Sequence, residues 1–229
     1  MPFFYFDPTM IIILPALIFT IWAQVNVNST FEKYKRVQTD SRITGYDAAR
    51  RILDANGLYD VKIERIAGNL TDHYDPRSNV IRLSDAVYDS TSAAAVGVAA
   101  HEAGHAVQHS VGYFPIKVRQ AIIPITSIGS SLAMPLFLIG LLFAATPLMY
   151  TGIIFYALAT VFQLVTLPVE FNASRRAMAA LDGGGDLTKR ELTASRKVLT
   201  AAALTYVAAL ATSLLSLLRL IILANGRRR

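Results

Sequence analysis

The chain contains no cysteine, a single tryptophan and few charged residues for its length. Of its 229 residues, 17% are charged and 53% are hydrophobic. Without cysteine there is neither a disulfide nor a thiolate metal site, so any metal must be held by His, Asp or Glu. The shortage of charge is too great for an ordinary soluble domain of this size and predicts a membrane protein.

The formal net charge of +6 does not predict a nucleic-acid partner. Segment 28–119 carries 12 Lys and Arg against 11 Asp and Glu, and segment 169–200 carries 6 against 4. Positive and negative charges are therefore nearly balanced in the polar segments, and part of the excess positive charge lies at the C-terminal arginines 227–229. Nucleic-acid binding requires clustered positive charge, so we expect none here.

Four segments are long and apolar enough to cross a lipid bilayer, which takes about 20 helical residues. They run from about Pro8 to Val27, Ala121 to Ala145, Pro147 to Pro168 and Leu204 to Ala224. The second and third are nearly contiguous and predict a tight transmembrane hairpin. No Lys or Arg precedes Lys33, which favours a retained first helix over a cleavable signal peptide with its basic start.

With four spans, the two polar segments lie on the same side of the membrane. Together they hold 18 of the 22 basic residues, and the positive-inside rule places them in the cytoplasm of a multi-pass cell-membrane protein. The C-terminal arginines oppose this orientation. The predicted organisation is a transmembrane helix (1–27), an α+β domain (28–119), a transmembrane hairpin (120–168), a cytoplasmic segment (169–203) and a last transmembrane helix with a basic tail (204–229).

Within 28–119, local signals predict alternating helices and strands. A helix is expected from Thr44 to Asn56, closed by Gly57, and a β-hairpin over 69–84 around the turn-forming residues 75–79. A further helix is expected from Ser90–Ser92 to Ser110. Its apolar residues are mostly Ala and Gly, which is typical of a tightly packed helix inside a domain rather than of a fifth span.

Residues 101–105 read His-Glu-Ala-Gly-His, the H-E-x-x-H pattern. On a helix the two histidines stand one turn apart on one face, where both imidazoles can bind one Zn²⁺. Glu102 projects beside the position that a catalytic zinc leaves to water. The pattern predicts that Glu102 acts as general base and later protonates the leaving amine, so that a peptide bond is hydrolysed without a covalent intermediate.

A chance match is the alternative interpretation of so short a motif. Glu102 is the only charged residue between Thr91 and Lys117, and three of the four histidines lie in the same stretch. Burial of such groups is costly unless they are paired or bound to a metal, which favours the metal site.

A catalytic zinc needs a third protein ligand. His109 lies about 12 Å beyond His101 on a continuous helix, so a polar residue near the helix end is the favoured interpretation of His109. Glu170 follows the third span on the same predicted side of the membrane as the histidines and is the better candidate. Its alternative role is an interfacial carboxylate paired with Arg175 or Arg176.

At these residues the sequence closely resembles the YugP-type neutral zinc metallopeptidases, multi-span bacterial membrane proteins. The resemblance covers nearly the whole chain and is carried by Thr44 to Leu58, Leu70 to Pro76, His101 to Gln108 and Leu167 to Ala177. It implies a multi-span α-helical membrane protein with a small α+β zincin-like catalytic domain. Zn²⁺ is the implied cofactor.

More remotely, the chain is similar to the HtpX-type membrane gluzincins, whose third zinc ligand is the Glu of an E-x-x-x-D motif on a later helix. This similarity implies the ligand role for Glu170. The Asp of that motif corresponds to Ser174 here, which leaves open the group that orients a ligating histidine. Asn172 or a residue elsewhere is the expected substitute.

His73 lies in the predicted hairpin, where zincins commonly place the strand that pairs with an extended substrate. It is a candidate donor to the oxyanion, or else a polar strand residue bonded to the adjacent turn. The leading functional prediction is hydrolysis of membrane-associated or misfolded polypeptides at the cytoplasmic face. A catalytically silent, zinc-stabilised membrane scaffold is the alternative, and Glu102 disfavours it because a structural site has no need of that carboxylate.

Overall fold

The computed structural model describes residues 8–226, and in this part the chain is mostly helical with one small sheet. A 3-10 helix, Pro8–Ile12, precedes the first α-helix. The α-helices are α1 (Leu14–Tyr34), α2 (Gly45–Ala55), α3 (Ala93–Ser110), α4 (Phe114–Leu142), α5 (Thr146–Gly184) and α6 (Lys189–Gly226). The strands are β1 (Lys62–Ile66), β2 (His73–Asp75) and β3 (Val80–Ser84).

Three of these helices, α4, α5 and α6, are long and apolar enough to cross a membrane. In their most apolar windows only 22%, 28% and 22% of the residues are buried inside the protein. Most of that apolar surface therefore faces outward, where lipid can solvate it. Only residues 143–145 join α4 to α5, so the connection between the two helices is as short as the sequence predicts.

The first helix differs from the predicted first span. That span was expected over 8–27, whereas α1 begins at Leu14 after the 3-10 helix and continues to Tyr34. Gln24, Asn26 and Asn28 reduce its hydropathy, and α1 is not among the candidate spans of the described residues. The part of the prediction that precedes Pro8 lies outside the described residues.

The described chain divides into two compact units. The first comprises the described parts of 1–23, 118–167 and 205–229, and the second comprises 24–117 and 168–204. Phe137, Met149 and Leu220 belong to the core of the first unit. The second unit contains the sheet, α2 and α3, and its core includes residues of α5 and α6.

Local sequence signals set the helix ends in the second unit. Thr44 caps α2 and forms a capping box with Asp47, in which each side chain accepts a backbone N–H of the other residue. Gly57 follows α2 with φ +72°, a left-handed conformation that costs glycine little. Ser92 caps α3 through its side chain. The boundaries predicted for both helices are confirmed.

β2 and β3 form the predicted hairpin. β3 is central, antiparallel to β2 and parallel to β1. β2 begins at His73 and not near Leu70, because Leu70 has φ +55°, a left-handed backbone that cannot continue a strand. β2 therefore forms one edge of the sheet, and it also contacts α3.

α3 is buried in the second unit, as its small residues predict. Ser195 Oγ of α6 donates a hydrogen bond to the Ala93 carbonyl at 2.7 Å. A Cβ added at Gly97 would come within 3.1 Å of the Ser195 Cβ. Glycine and alanine thus allow α6 to approach the α3 backbone closely, and α3 is not among the candidate membrane spans of the described residues.

α5 continues past Pro168, where the third span was predicted to end. Proline removes one backbone hydrogen bond from a helix interior. The helix nevertheless continues to Gly184, because Val169, Ala173 and Ala177 recur at four-residue spacing and are each 0% exposed. Their burial offsets the lost hydrogen bond and fixes the orientation of the neighbouring Glu170.

Candidate metal centre

The two histidines of the H-E-x-x-H motif face each other on α3, within the second unit. His101 and His105 stand one helical turn apart, and their Nε2 atoms are 3.1 Å apart. The two rings are nearly perpendicular, at 85°. Both Nε2 atoms therefore converge on one point, as the four-residue spacing predicts.

α5 brings Glu170 to this point. Its Oε2 lies 3.3 Å from His101 Nε2 and 3.5 Å from His105 Nε2. Glu170 is only 2% exposed, so its carboxylate requires nearby positive charge or hydrogen-bond donors. Among the described residues, these three form the group of His, Asp and Glu whose donor atoms lie close enough to hold one metal ion.

The geometry of the three donor atoms fits a zinc ion. Their mutual distances are 3.1, 3.3 and 3.5 Å. Tetrahedral ligands at about 2.0–2.1 Å from zinc are separated by about 3.3–3.4 Å. Two imidazoles and one carboxylate are also a common ligand set of catalytic zinc sites, which leave the fourth position to water. The residues present therefore suit this metal without rearrangement.

The Nδ1 atom of each histidine has its own partner. Ser174 Oγ lies 3.1 Å from His101 Nδ1. Sequence comparison with the E-x-x-x-D motif left the orienting group open at this position, and the structure places the Ser174 hydroxyl itself there. Asn172, the suggested substitute, instead accepts a hydrogen bond from Gln108 Nε2.

Gln108 is the partner of His105 and was not singled out from the sequence. Its Oε1 lies 3.0 Å from His105 Nδ1, and its Nε2 donates to the Val169 carbonyl at 2.8 Å and to Asn172 Oδ1 at 3.0 Å. Because both of these acceptors lie beside the same end of the Gln108 amide, that end is the nitrogen and the other end is the oxygen. Nδ1 of His105 must therefore donate, which leaves the Nε2 lone pair for a metal.

Glu102 follows the first histidine and is 8% exposed. Its charge raises the pKa of the Asp72 carboxyl, which burial has already raised more strongly, while hydrogen bonds from Ser84 act in the opposite direction. The pKa of His105 is also raised, since the carboxylates of Glu170 and Glu102 outweigh the effect of burial. Glu102 thus lies close enough to His105 for its charge to act on that imidazole.

The remaining two histidines lie outside this group. His109 packs edge-on against Tyr74, with 6.0 Å between ring centroids, at the end of α3. His73 Nδ1 lies 2.9 Å from the Thr71 carbonyl, and because a carbonyl only accepts, Nδ1 is the donor. His73 is thus bonded to the preceding turn, and its Nε2 is left for other partners.

Gly104, inside the motif, sets the spacing between α3 and α5. A Cβ at this position would lie 2.7 Å from the Ala173 carbonyl oxygen, a distance that real side chains do not adopt. The close approach of the two backbones brings Glu170 and Ser174 within reach of His101. Helix packing therefore requires a glycine at this position, although the H-E-x-x-H pattern itself allows any residue there.

Comparison with known proteins identifies a family for the chain. Residues 9–225 match the model of a family described as "Putative neutral zinc metallopeptidase". The chain belongs to this family. It is also 49% identical over 215 residues to "Putative membrane protease YugP" of Bacillus subtilis (strain 168), across 93% of this chain and 96% of that protein. No solved structure matches the chain.

Membership of the neutral zinc metallopeptidase family confirms the resemblance seen in the sequence. The match extends across the H-E-x-x-H helix and Glu170. The family description does not say which side chains contact the Nδ1 atoms of the two histidines. The sequence singled out position 174 through the E-x-x-x-D motif, but the contact of Ser174 with His101 is seen only in the packing of α3 against α5. Gln108 was not singled out, although its position three residues after His105 places it on a neighbouring part of the helix surface.

Proposed function

We propose that the chain is a membrane-embedded zinc endopeptidase in which His101, His105 and Glu170 hold Zn²⁺ and Glu102 is the general base. The observation that carries this proposal is the triangle of donor atoms, with sides of 3.1, 3.3 and 3.5 Å. Membership of a zinc metallopeptidase family and close similarity to a protein named as a membrane protease support the same reaction class.

Zinc bound there would lower the pKa of a bound water and polarise the scissile carbonyl. Glu102 accepts the proton of that water and returns it to the leaving amine, so no covalent intermediate forms. Ser174 and Gln108 hold the imidazoles in orientation, since each contacts an Nδ1 atom. Gln108 also keeps the Nε2 lone pair of His105 directed at the ligand position.

The substrate backbone is proposed to pair with the edge strand β2, which contacts α3 and has one side without a neighbouring strand in the described sheet. Strand addition supplies backbone hydrogen bonds without sequence preference, as suits membrane-associated or misfolded polypeptides. His73 lies on this strand. Because its Nδ1 donates to Thr71, it can donate from Nε2 to an oxyanion only as the imidazolium.

We further propose the membrane arrangement predicted from the sequence. In this arrangement residues 1–27 form a first transmembrane helix, in addition to the three candidate spans, and residues 28–119 form a zincin-like domain. A transmembrane hairpin over 120–168 follows. Segment 169–203 then supplies the third ligand, and a last transmembrane helix with a basic tail occupies 204–229. The distribution of basic residues places the catalytic site at the cytoplasmic face of the cell membrane. The lipid bilayer and a polypeptide substrate are the expected partners.

A zinc-stabilised scaffold without catalysis is the second candidate function. It shares the three ligands but gives Glu102 no role. A structural zinc site is normally closed by a fourth protein ligand, whereas the donor group found among the described residues has three members. This difference favours the peptidase.

The decisive experiment combines metal analysis with cleavage of an unstructured protein substrate. Glu102→Gln is expected to retain zinc and lose at least about 100-fold in cleavage rate, because it removes the general base. Glu170→Ala is expected to lose zinc. Exposed Glu64→Gln is the control and should match wild type. Equal cleavage by wild type and Glu102→Gln would overturn the peptidase, and full zinc occupancy in Glu170→Ala would overturn the ligand set.

A further inference from the structure

A groove in the second unit lies beside the metal centre and is lined by both α5 and α6. Its volume is about 460 Å³. From α5 it is lined by Phe171, Ser174, Arg175 and Met178, positions spaced so that they share one face of a helix. The α6 residues that line it, between Arg196 and Leu204, have the same helical spacing. The groove is therefore built from two facing helix surfaces.

The polarity of the groove changes along its length. The long apolar stretch of α5 ends shortly before Phe171, and that of α6 begins shortly after Leu204. These two apolar side chains therefore lie at the end of the groove that is nearest to the apolar stretches. Arg196 lies about 12 Å before Leu204 along α6, and Arg175 about 6 Å beyond Phe171 along α5. An apolar end thus leads towards the membrane-spanning stretches, and a basic end leads away from them.

The two arginines carry charge that no lining residue balances. No Asp or Glu is among the described residues that line the groove. Neither Arg175 nor Arg196 takes part in the ion pairs found among the described residues. Arg176, in contrast, does not line the groove and donates a hydrogen bond to Asn172 Oδ1. The groove therefore presents two guanidinium groups to an anionic ligand.

We propose that this groove binds one anionic phospholipid. The phosphate is held by Arg175 and Arg196, since guanidinium groups bind phosphate oxygens through paired hydrogen bonds. An acyl chain lies along Phe171, Ala203 and Leu204 towards the bilayer. An anionic phospholipid matches both ends of the groove and their order along the helices, because its apolar chains would lie on the side of the candidate membrane spans.

The site is coupled to the metal centre through Ser174. This residue lines the groove, and its Oγ lies 3.1 Å from His101 Nδ1. A lipid in the groove therefore restrains the residue that orients a zinc ligand. This consequence depends on the proposed zinc site, whereas lipid binding itself does not, so the two can be tested separately.

The binding test uses the full chain in detergent, titrated with phosphatidylglycerol or phosphatidylcholine and read by native mass spectrometry. We expect phosphatidylglycerol to bind at least about tenfold more tightly than phosphatidylcholine, and the double variant Arg175→Gln with Arg196→Gln to lose that preference. Arg190→Gln, an exposed arginine of α6 outside the groove, is the matched control and should bind as wild type does. Glu102→Gln should also bind normally, because binding does not require catalysis.

A second variant tests the apolar end of the groove. Ala203→Leu is expected to weaken phosphatidylglycerol binding while it leaves the two arginines in place. Full competition by inorganic phosphate alone, or equal binding of both lipids to wild type, would overturn the proposal. Binding of an acidic peptide that depends on the arginines, without any lipid preference, would overturn it in favour of a polypeptide ligand.

Coupling between lipid binding and the metal centre is tested by the rate of zinc loss. Phosphatidylglycerol is expected to slow zinc loss to a chelator in wild type and to have no effect in the double arginine variant. Lipid binding without any change in zinc release would overturn the coupling and leave the lipid site intact.

Discussion

Gln108 is a neutral amide in a position where many zinc sites place a carboxylate against the histidine. An amide suits this position better than a carboxylate, because the Val169 carbonyl and Asn172 Oδ1 both accept hydrogen bonds from the side-chain nitrogen of Gln108. A carboxylate would face two acceptors without a donor to offer them. A fully buried side chain, 0% exposed, cannot leave such groups unpaired at low cost.

We expect Gln108→Leu to weaken zinc binding by about 10–100-fold, because His105 loses the acceptor that orients its ring. Gln108→Glu keeps that acceptor but loses both donated bonds, and an intermediate affinity is expected. Affinity is measured by competition with a chromogenic chelator. Gln24→Leu, an exposed glutamine on α1, is the control. Unchanged zinc affinity in Gln108→Leu would show that Gln108 does not position the ligand.

At the scale of secondary-structure elements, the close packing of α3 and α5 determines whether Glu170, the proposed third ligand, reaches the histidines. Gly104 is the point of closest approach, since an added Cβ would lie 2.7 Å from a backbone oxygen. A backbone atom cannot move aside as the tip of a side chain can, so the helices must separate.

Gly104→Ala is expected to destabilise the fold by about 1–3 kcal/mol through overpacking and to lower zinc occupancy by displacing Glu170. Gly183→Ala, on α5 with no heavy atom within 4 Å of the added Cβ, is the matched control and should leave both properties unchanged. Thermal unfolding and metal content of the purified variants distinguish the two. Wild-type zinc occupancy in Gly104→Ala would contradict the role of the close contact.

Much of the second unit was predictable because its signals are local. Thr44 and Gly57 define α2, and the turn residues between β2 and β3 define the hairpin. The approach of Glu170 to the histidines was predicted from an expected membrane topology and from a family resemblance. The roles of Gln108 and Gly104 were not predictable, since each depends on which atoms of α5 lie opposite α3, and sequence periodicity gives no information on that register.

At the scale of the whole molecule, the proposed orientation in the membrane would decide which polypeptides can reach the candidate metal centre. Because the natural chain has no cysteine, single cysteines can report on each side separately. We expect Ser78→Cys, in the exposed turn between β2 and β3, to react with a membrane-impermeant maleimide only after cells are opened. Phe143→Cys, in the connection between α4 and α5, should react in intact cells.

Pro2→Cys tests the first span in the same assay. Reaction in intact cells is expected if a fourth span separates the N-terminus from the second unit. Protection of Pro2→Cys together with Ser78→Cys would reduce the number of spans to the three candidates. Reaction of Ser78→Cys in intact cells would invert the proposed orientation.

The position of Glu170 in the chain has a consequence for biosynthesis. His101, Glu102 and His105 are translated together, but Glu170 follows only after all of α4 and more than half of α5. With Glu170 as the third ligand, the nascent chain holds an incomplete metal site until the ribosome has delivered both helices and they have entered the bilayer. Under the proposed ligand set, the order of translation would delay hydrolytic activity until the helices that carry the site have been synthesised.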